Sequence, residues 1–164
     1  MISELKASST HESQALYNLA QEKINHNRFQ DAIGHLREAL AIAPDNPVYL
    51  SLYGFCLAKQ NKSYDTAINL CRRAIKLKSK DPDLLVNLGR VLRLSGDKDG
   101  AHRAFLEAWD RKKGHTGAAT ELCRMGVRRK SVLPFLSRSN PVNKYLGKVR
   151  AQIERLALGK ALDI

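Results

Sequence analysis

Leu50-Ser51-Leu52-Tyr53-Gly54 and, further along, Ala67-Ile68-Asn69-Leu70-Cys71-Arg72-Arg73-Ala74 are the stretches that decide the fold. Both space their apolar residues three and four apart, the period of one face of an α-helix. Between them runs Gln60-Asn61-Lys62-Ser63, polar enough to mark a turn. The same pair of patterns recurs on either side. The first returns as Leu16-x-x-Leu19-Ala20 and Leu85-x-x-Leu88-Gly89, the second as Ala32-x-x-x-Leu36-x-x-Ala39 and Ala101-x-x-x-Phe105-x-x-Ala108. Leu16, Leu50 and Leu85 step by 34 and then 35 residues, whereas Ala32, Ala67 and Ala101 step by 35 and then 34. One extra residue between the two sets of the middle unit accounts for both series, and the turn at Gln60–Ser63 is the expected place for it.

A unit of two helices cannot bury its apolar face alone, so a repeat of this kind predicts stacked helical hairpins with one continuous core. Small residues on one helix let its partner approach closely, and larger residues fill the space beside them. Asn46-Pro47, Asp81-Pro82 and Asn140-Pro141 each place a capping side chain before a proline suited to the first helical position. Ser9 and Glu12 have the spacing of a capping box, which predicts that the first helix begins near Thr10.

This pattern resembles the tetratricopeptide repeat, whose 34-residue unit reads W-x2-L-G-x2-Y, then A-x3-F, then P. Leu16, Leu50 and Leu85 stand in its tryptophan slot, Ala20, Gly54 and Gly89 in its small-residue slot, and Ala32, Ala67 and Ala101 in its alanine slot. Pro44 matches the closing proline, which Ser79 and Lys113 replace in later units; Lys23, Leu57 and Leu92 depart from the tyrosine slot. The resemblance covers about residues 13–115. It implies an all-α, right-handed α-solenoid of three helix-turn-helix repeats (13–46, 47–81 and 82–115) closed by a capping helix over 116–127, with a lead-in over 1–12. The remaining region, 128–164, reads as a basic extended segment and then a basic amphipathic helix. Pro134 and its β-branched and aromatic neighbours argue for the extended part, and the stripe Val142, Leu146, Val149, Ile153, Leu156 for the helix. That helix either folds back on the repeats, docks on a partner or a second copy, or lies on an anionic membrane; Glu154 within its basic face weighs against the last.

Charge is unevenly spread. Residues 1–110 hold 15 Lys/Arg against 13 Asp/Glu, whereas residues 111–164 hold 13 against 3, so most of the formal +12 belongs to the tail. Electrostatic attraction to an acidic partner is expected there. No run of about 18 apolar residues suggests an integral membrane segment, and the start of the chain, with Glu4 and Lys6, lacks the apolar block of a signal peptide. The expected setting is cytoplasmic, with Cys56, Cys71 and Cys123 as small buried hydrophobes and the five histidines mostly solvated.

The sequence shows no catalytic constellation. It has no Gly-rich phosphate loop, since Ser95–Gly100 fits the turn between paired helices, and no histidine, cysteine and carboxylate set at metal-ligand spacing. Neither enzyme activity, cofactor nor metal is therefore expected.

In the resembled family the first helices of successive units line a concave groove that holds a peptide or helix. Carried over by register, that groove comprises Tyr17, Asn18, Gln21 and Asn25, then Leu52, Phe55 and Lys59, then Val86, Asn87, Arg90 and Arg93, then Glu121, Arg124 and Arg128. Phe55, without an evident core duty, is the expected anchor point. The family's chaperone-binding members clamp a terminal carboxylate with lysine, asparagine and arginine; Tyr17, Gln21, Leu52, Asp83 and Asn87 occupy those places here, so no such clamp is expected. The implied function is a protein-interaction adaptor or scaffold, as monomer or homodimer, for a partner bearing acidic and apolar residues. A nucleic-acid-binding repeat protein using the basic tail is the alternative; against it, Phe135 and Tyr145 are the only aromatics after Trp109 available for base stacking.

Overall fold

In the computed structural model, residues 2–125 are described, with side chains from Ser9 onward. The expected extended segment, the C-terminal helix and Arg128 lie outside the described residues. Seven helices follow one another: α1 (Ile2–Asn25), α2 (Phe29–Ile42), α3 (Pro47–Asn61), α4 (Tyr64–Leu77), α5 (Pro82–Ser95), α6 (Lys98–Arg111) and α7 (Thr116–Met125). They pair as hairpins α1–α2, α3–α4 and α5–α6. Each second helix packs on the first helix of the next unit, and α3 lies beside α5 as α5 lies beside α7. Those are the neighbour relations of a helical-repeat solenoid.

Two of the three expected proline-led caps lie within the described residues and both form, while Asn140-Pro141 lies outside them. The Asn46 side chain accepts from the amides of Val48 (3.0 Å) and Tyr49 (3.3 Å), and that of Asp81 from the amide of Asp83 (3.0 Å), each ahead of a proline at the start of the helix. Asp97 does the same for Gly100 at 2.8 Å. Within each hairpin one residue turns into the left-handed region: Asn27 (φ 59°), Lys62 (φ 55°) and Gly96 (φ 95°). Each stands five residues before its unit's alanine, so turn geometry repeats with the sequence. The extra residue of the middle unit lengthens helix rather than turn: α3 has 15 residues and α5 has 14, while two residues separate the helices in both hairpins.

Two further expectations are corrected. Helix α1 begins at Ile2, not near Thr10. The spacing of Ser9 and Glu12 also occurs inside helices, and Glu4-Leu5-Lys6-Ala7 ahead of it are all strong helix formers. His115, expected to be solvated, is buried: its Nδ1 accepts from the Ala118 amide (3.1 Å) as the cap of α7, and its Nε2 lies 3.1 Å from Asp83 Oδ1.

Small residues set the hairpin spacing. A Cβ on Gly54 would lie 2.9 Å from the Ala67 carbonyl oxygen and 3.2 Å from Cys71 Sγ, and one on Gly89 would collide with the ring of Phe105. Cys56 and Cys71 are buried in this core, as expected, but Cys123 is exposed. Burial pushes the Cys56 and Cys71 thiols up to about 12, the latter despite its contact with the Ser51 carbonyl. At pH 8 a thiol titrating there is ionised to only about one part in ten thousand, and the thiolate is the reactive form. A thiol reagent at pH 8 is therefore expected to label Cys123 in the native chain, and Cys56 and Cys71 only in urea. Equal labelling of all three in native conditions, read by mass spectrometry, would contradict this packing.

Candidate functional site

The face made by α1, α3, α5 and α7 carries two adjoining hollows. The first, of about 270 Å³, is lined by Tyr17 and Gln21 of α1, Val48 and Leu52 of α3, Asp83, Leu84, Val86, Asn87 and Arg90 of α5, and Gly117 of α7. The second, of about 420 Å³, lies toward the C-terminal ends of the same helices. It is lined by Ile24 and Asn25, Asn27 and Phe29 at the first turn, Phe55 and Lys59, Arg90, Arg93 and Leu94, and Glu121 and Arg124. Arg90 borders both.

Side chains in the first hollow are held by neighbours. Tyr17 stacks on Tyr49 with ring centroids 5.2 Å apart, and its hydroxyl accepts from Gln21 Nε2 at 2.7 Å. Burial, with Asp83 and then Tyr49 adding, holds the Tyr17 hydroxyl above its ordinary range, against the pull of the Gln21 hydrogen bond. It stays a neutral phenol at physiological pH. Asn87 Nδ2 donates to Ser51 Oγ at 2.9 Å, tying α5 to α3.

The second hollow combines aromatic rings with cations. Phe29 and Phe55 meet edge to face at 6.1 Å; Arg90 lies over the Phe55 ring at 5.7 Å and Lys59 over the Phe29 ring at 5.8 Å, both within cation–π range. Glu121 organises the arginines. It is 1% exposed, and its carboxylate takes Arg90 Nε at 2.8 Å, Arg93 at 3.3 Å and Arg124 at 3.4 Å. Oε2 accepts no hydrogen bond among the described residues, so the Arg93 contact is ionic rather than a shaped hydrogen bond. A buried carboxylate needs such partners to remain charged.

Most of the residues carried over by register lie together on this face. Tyr17, Gln21, Leu52, Asn87 and Arg90 come together in the first hollow, and Phe55, Lys59, Arg90, Arg93 and Arg124 in the second. Asn18 lines neither; it accepts from Gln14 along α1. Phe55 does have a packing role: it is half-buried against the core clusters as well as on Phe29. Reading first helices alone missed Phe29, which opens α2 where the hairpin turn brings it to the edge of the second hollow. Glu121, carried over as a groove residue, does line the second hollow but is buried, with Arg90 and Arg93 reaching it from α5. Among the described residues no cluster of histidine, cysteine and carboxylate side chains is arranged to hold a metal ion, and no helix is long and apolar enough to cross a membrane.

The sequence profile of the tetratricopeptide repeat family matches residues 17–82 and again 57–115. The chain belongs to the tetratricopeptide repeat family. Similar curated proteins include a DnaJ homolog subfamily C member 3 homolog of Dictyostelium discoideum, 32% identical over 97 residues (57% of this chain, 19% of that protein). A TPR repeat-containing protein of Pseudomonas aeruginosa is 33% identical over 84 residues, 51% of this chain and 14% of its own length. The chain thus spans less than a fifth of either relative. Among solved structures, a Thermobaculum terrenum O-GlcNAc transferase mutant superposes with a TM-score of 0.64 at 26% identity, over 71% of this chain and 22% of that one. The first TPR domain of human RPAP3 gives 0.61 at 16% identity, over 70% and 90%. In the tetratricopeptide repeat array, the two hollows occupy the face of the first helices.

Proposed function

We propose that this protein is an adaptor that holds a segment of a partner protein, peptide or helix, along the face of α1, α3, α5 and α7. The observation that carries this reading is the pair of adjoining hollows, one of apolar and polar side chains with Asp83 and Arg90 of opposite charge, the other aromatic and cationic, joined at Arg90. Apolar recesses with a few fixed polar groups are how proteins accept an anchor side chain and set its orientation. Similar domains support the reading: one solved structure is the first TPR of Spaghetti (RPAP3) bound to an HSP90 peptide, another the second TPR domain of human RPAP3 with an HSP70 peptide. Their fold is shared at 15% and 17% identity, and their ligands need not be. Asp83, on the wall of the first hollow, opposes a terminal carboxylate in that place. The nucleic-acid alternative rests on the charge of residues 111–164, which past Met125 lie outside the described residues.

The test is affinity capture from the native host with the full chain. Leu52→Ser, in the first hollow, and Phe55→Ala, in the second, are each expected to weaken the captured partner by at least about thirtyfold, the scale of an interface hot spot. Arg103→Glu, exposed on α6 and away from both hollows, is expected to leave it unchanged. A partner lost by Arg103→Glu yet retained by both groove variants would place the binding surface elsewhere.

A further inference from the structure

The two hollows differ in charge, and that difference orders whatever lies across them. Lining the second are four cations, Lys59, Arg90, Arg93 and Arg124, against a single carboxylate, Glu121. Because Glu121 is buried beneath the arginines, its charge is shared among three of them and presents almost nothing to a ligand. What lines the hollow is an excess of positive charge beside two phenylalanine rings. Lys59, Arg93 and Arg124 stand in the last turns of α3, α5 and α7, where helix dipoles stabilise cations and offset their mutual repulsion. Arg90 is also held in place by Glu121 and by the Phe55 ring, so little rotamer freedom remains to be lost on binding. In the first hollow the charged residues are Arg90 and Asp83, and Asp83 is mostly exposed.

Resting on the adaptor reading above, we infer that the hollow of Phe29, Phe55, Lys59, Arg93 and Arg124 is a subsite for an acidic peptide segment that sets a carboxylate beside an apolar side chain. The carboxylate pairs with Lys59, Arg93 and Arg124, and the apolar side chain lies against the Phe29 and Phe55 rings. The neighbouring hollow takes the uncharged part of the same segment. Placing the carboxylate there instead sets it against Asp83, so charge order fixes which way the segment runs.

The test is selection of a phage-displayed random dodecapeptide library on the full chain, followed by binding of a synthetic peptide from the enriched pool. Enriched peptides are expected to carry Asp or Glu within two positions of a large apolar residue. Replacing those carboxylates by amides is expected to weaken binding tenfold or more. Lys59→Glu with Arg124→Glu, both at exposed positions, should cost a similar factor for the acidic peptide and little for its amide version. Lys59→Gln with Arg124→Gln, which removes charge without reversing it, should act in the same sense by a smaller factor. Leu52→Ser should weaken both peptides alike. Enrichment of neutral or basic peptides, or an acidic peptide indifferent to both charge variants, would overturn the subsite while a Leu52→Ser effect upheld the groove. A library that yields no binder also overturns the subsite, and the groove is then judged separately by the captured partner's response to Leu52→Ser.

Discussion

Phe105→Ala is expected to lower the unfolding free energy by about 3–5 kcal/mol, read from urea denaturation followed by circular dichroism. Phe105 is 0% exposed and is the largest fully buried side chain of the described residues. It packs with Leu85, Val86, Ala101, Ala108 and Ala118, so it joins α5, α6 and α7. Its ring fills the space that Gly89 leaves empty: a Cβ there would stand 2.7 Å from Cδ1 and 2.8 Å from Cζ, and nearer still to Cε1. The reciprocal variant gives a sharper sign. Helix propensity alone makes Gly89→Ala stabilising by up to about 1 kcal/mol; the ring makes it destabilising by about 1–3 kcal/mol. Phe105→Leu in the Gly89→Ala background should recover part of that loss, a non-additivity reserved for residues in contact. Stabilisation by Gly89→Ala would show that the hairpin is not packed in this way.

Arg90→Glu is expected to cost about 3–5 kcal/mol, the scale of breaking a buried ion pair. Arg90 Nε is 2.8 Å from Glu121, so the variant sets a second carboxylate against a buried first one, with Arg93 and Arg124 left to neutralise both. Arg90→Met, which removes the charge but keeps much of the bulk, should cost less at neutral pH. A wild-type-like urea midpoint for Arg90→Glu would mean that the α5–α7 tie carries no stability. From sequence Arg90 reads as a groove contact, and its charge reversal as a clean probe of partner binding. The ion pair makes that variant a probe of folding as well, which is why Leu52 and Phe55 carry the capture test and why charge reversal at Arg124, itself 3.4 Å from Glu121, is paired with a neutral Gln version.

What was legible in the sequence is what a fixed period reports. Leu16, Leu50 and Leu85, with Ala32, Ala67 and Ala101, are constrained by hairpin geometry, so their spacing predicts three stacked units and, by register, the side chains on the inner face. Contacts that depend on reach were not legible. The burial of Glu121 is decided by how far Arg90 and Arg93 extend from a neighbouring helix, and that of His115 by Asp83, more than thirty residues away in the chain. Phe29 escaped because it belongs to a second helix and enters the hollow only through the path of the turn. Ser9 and Glu12 misled because a capping-box spacing carries no information about what precedes it.

The polar chain from Ser51 through Asn87 and Arg90 to Glu121 links three successive layers along the floor of the groove. Arg90 and Arg93 hold α7 through Glu121, and the same two side chains border the cationic hollow. Occupancy of that hollow and docking of α7 therefore share one free-energy balance. An occupant that left the arginines on Glu121 would slow amide exchange in α7, and one that drew them away would quicken it. The direction of that change, at amides the occupant never touches, reports how the arginines are divided between the two.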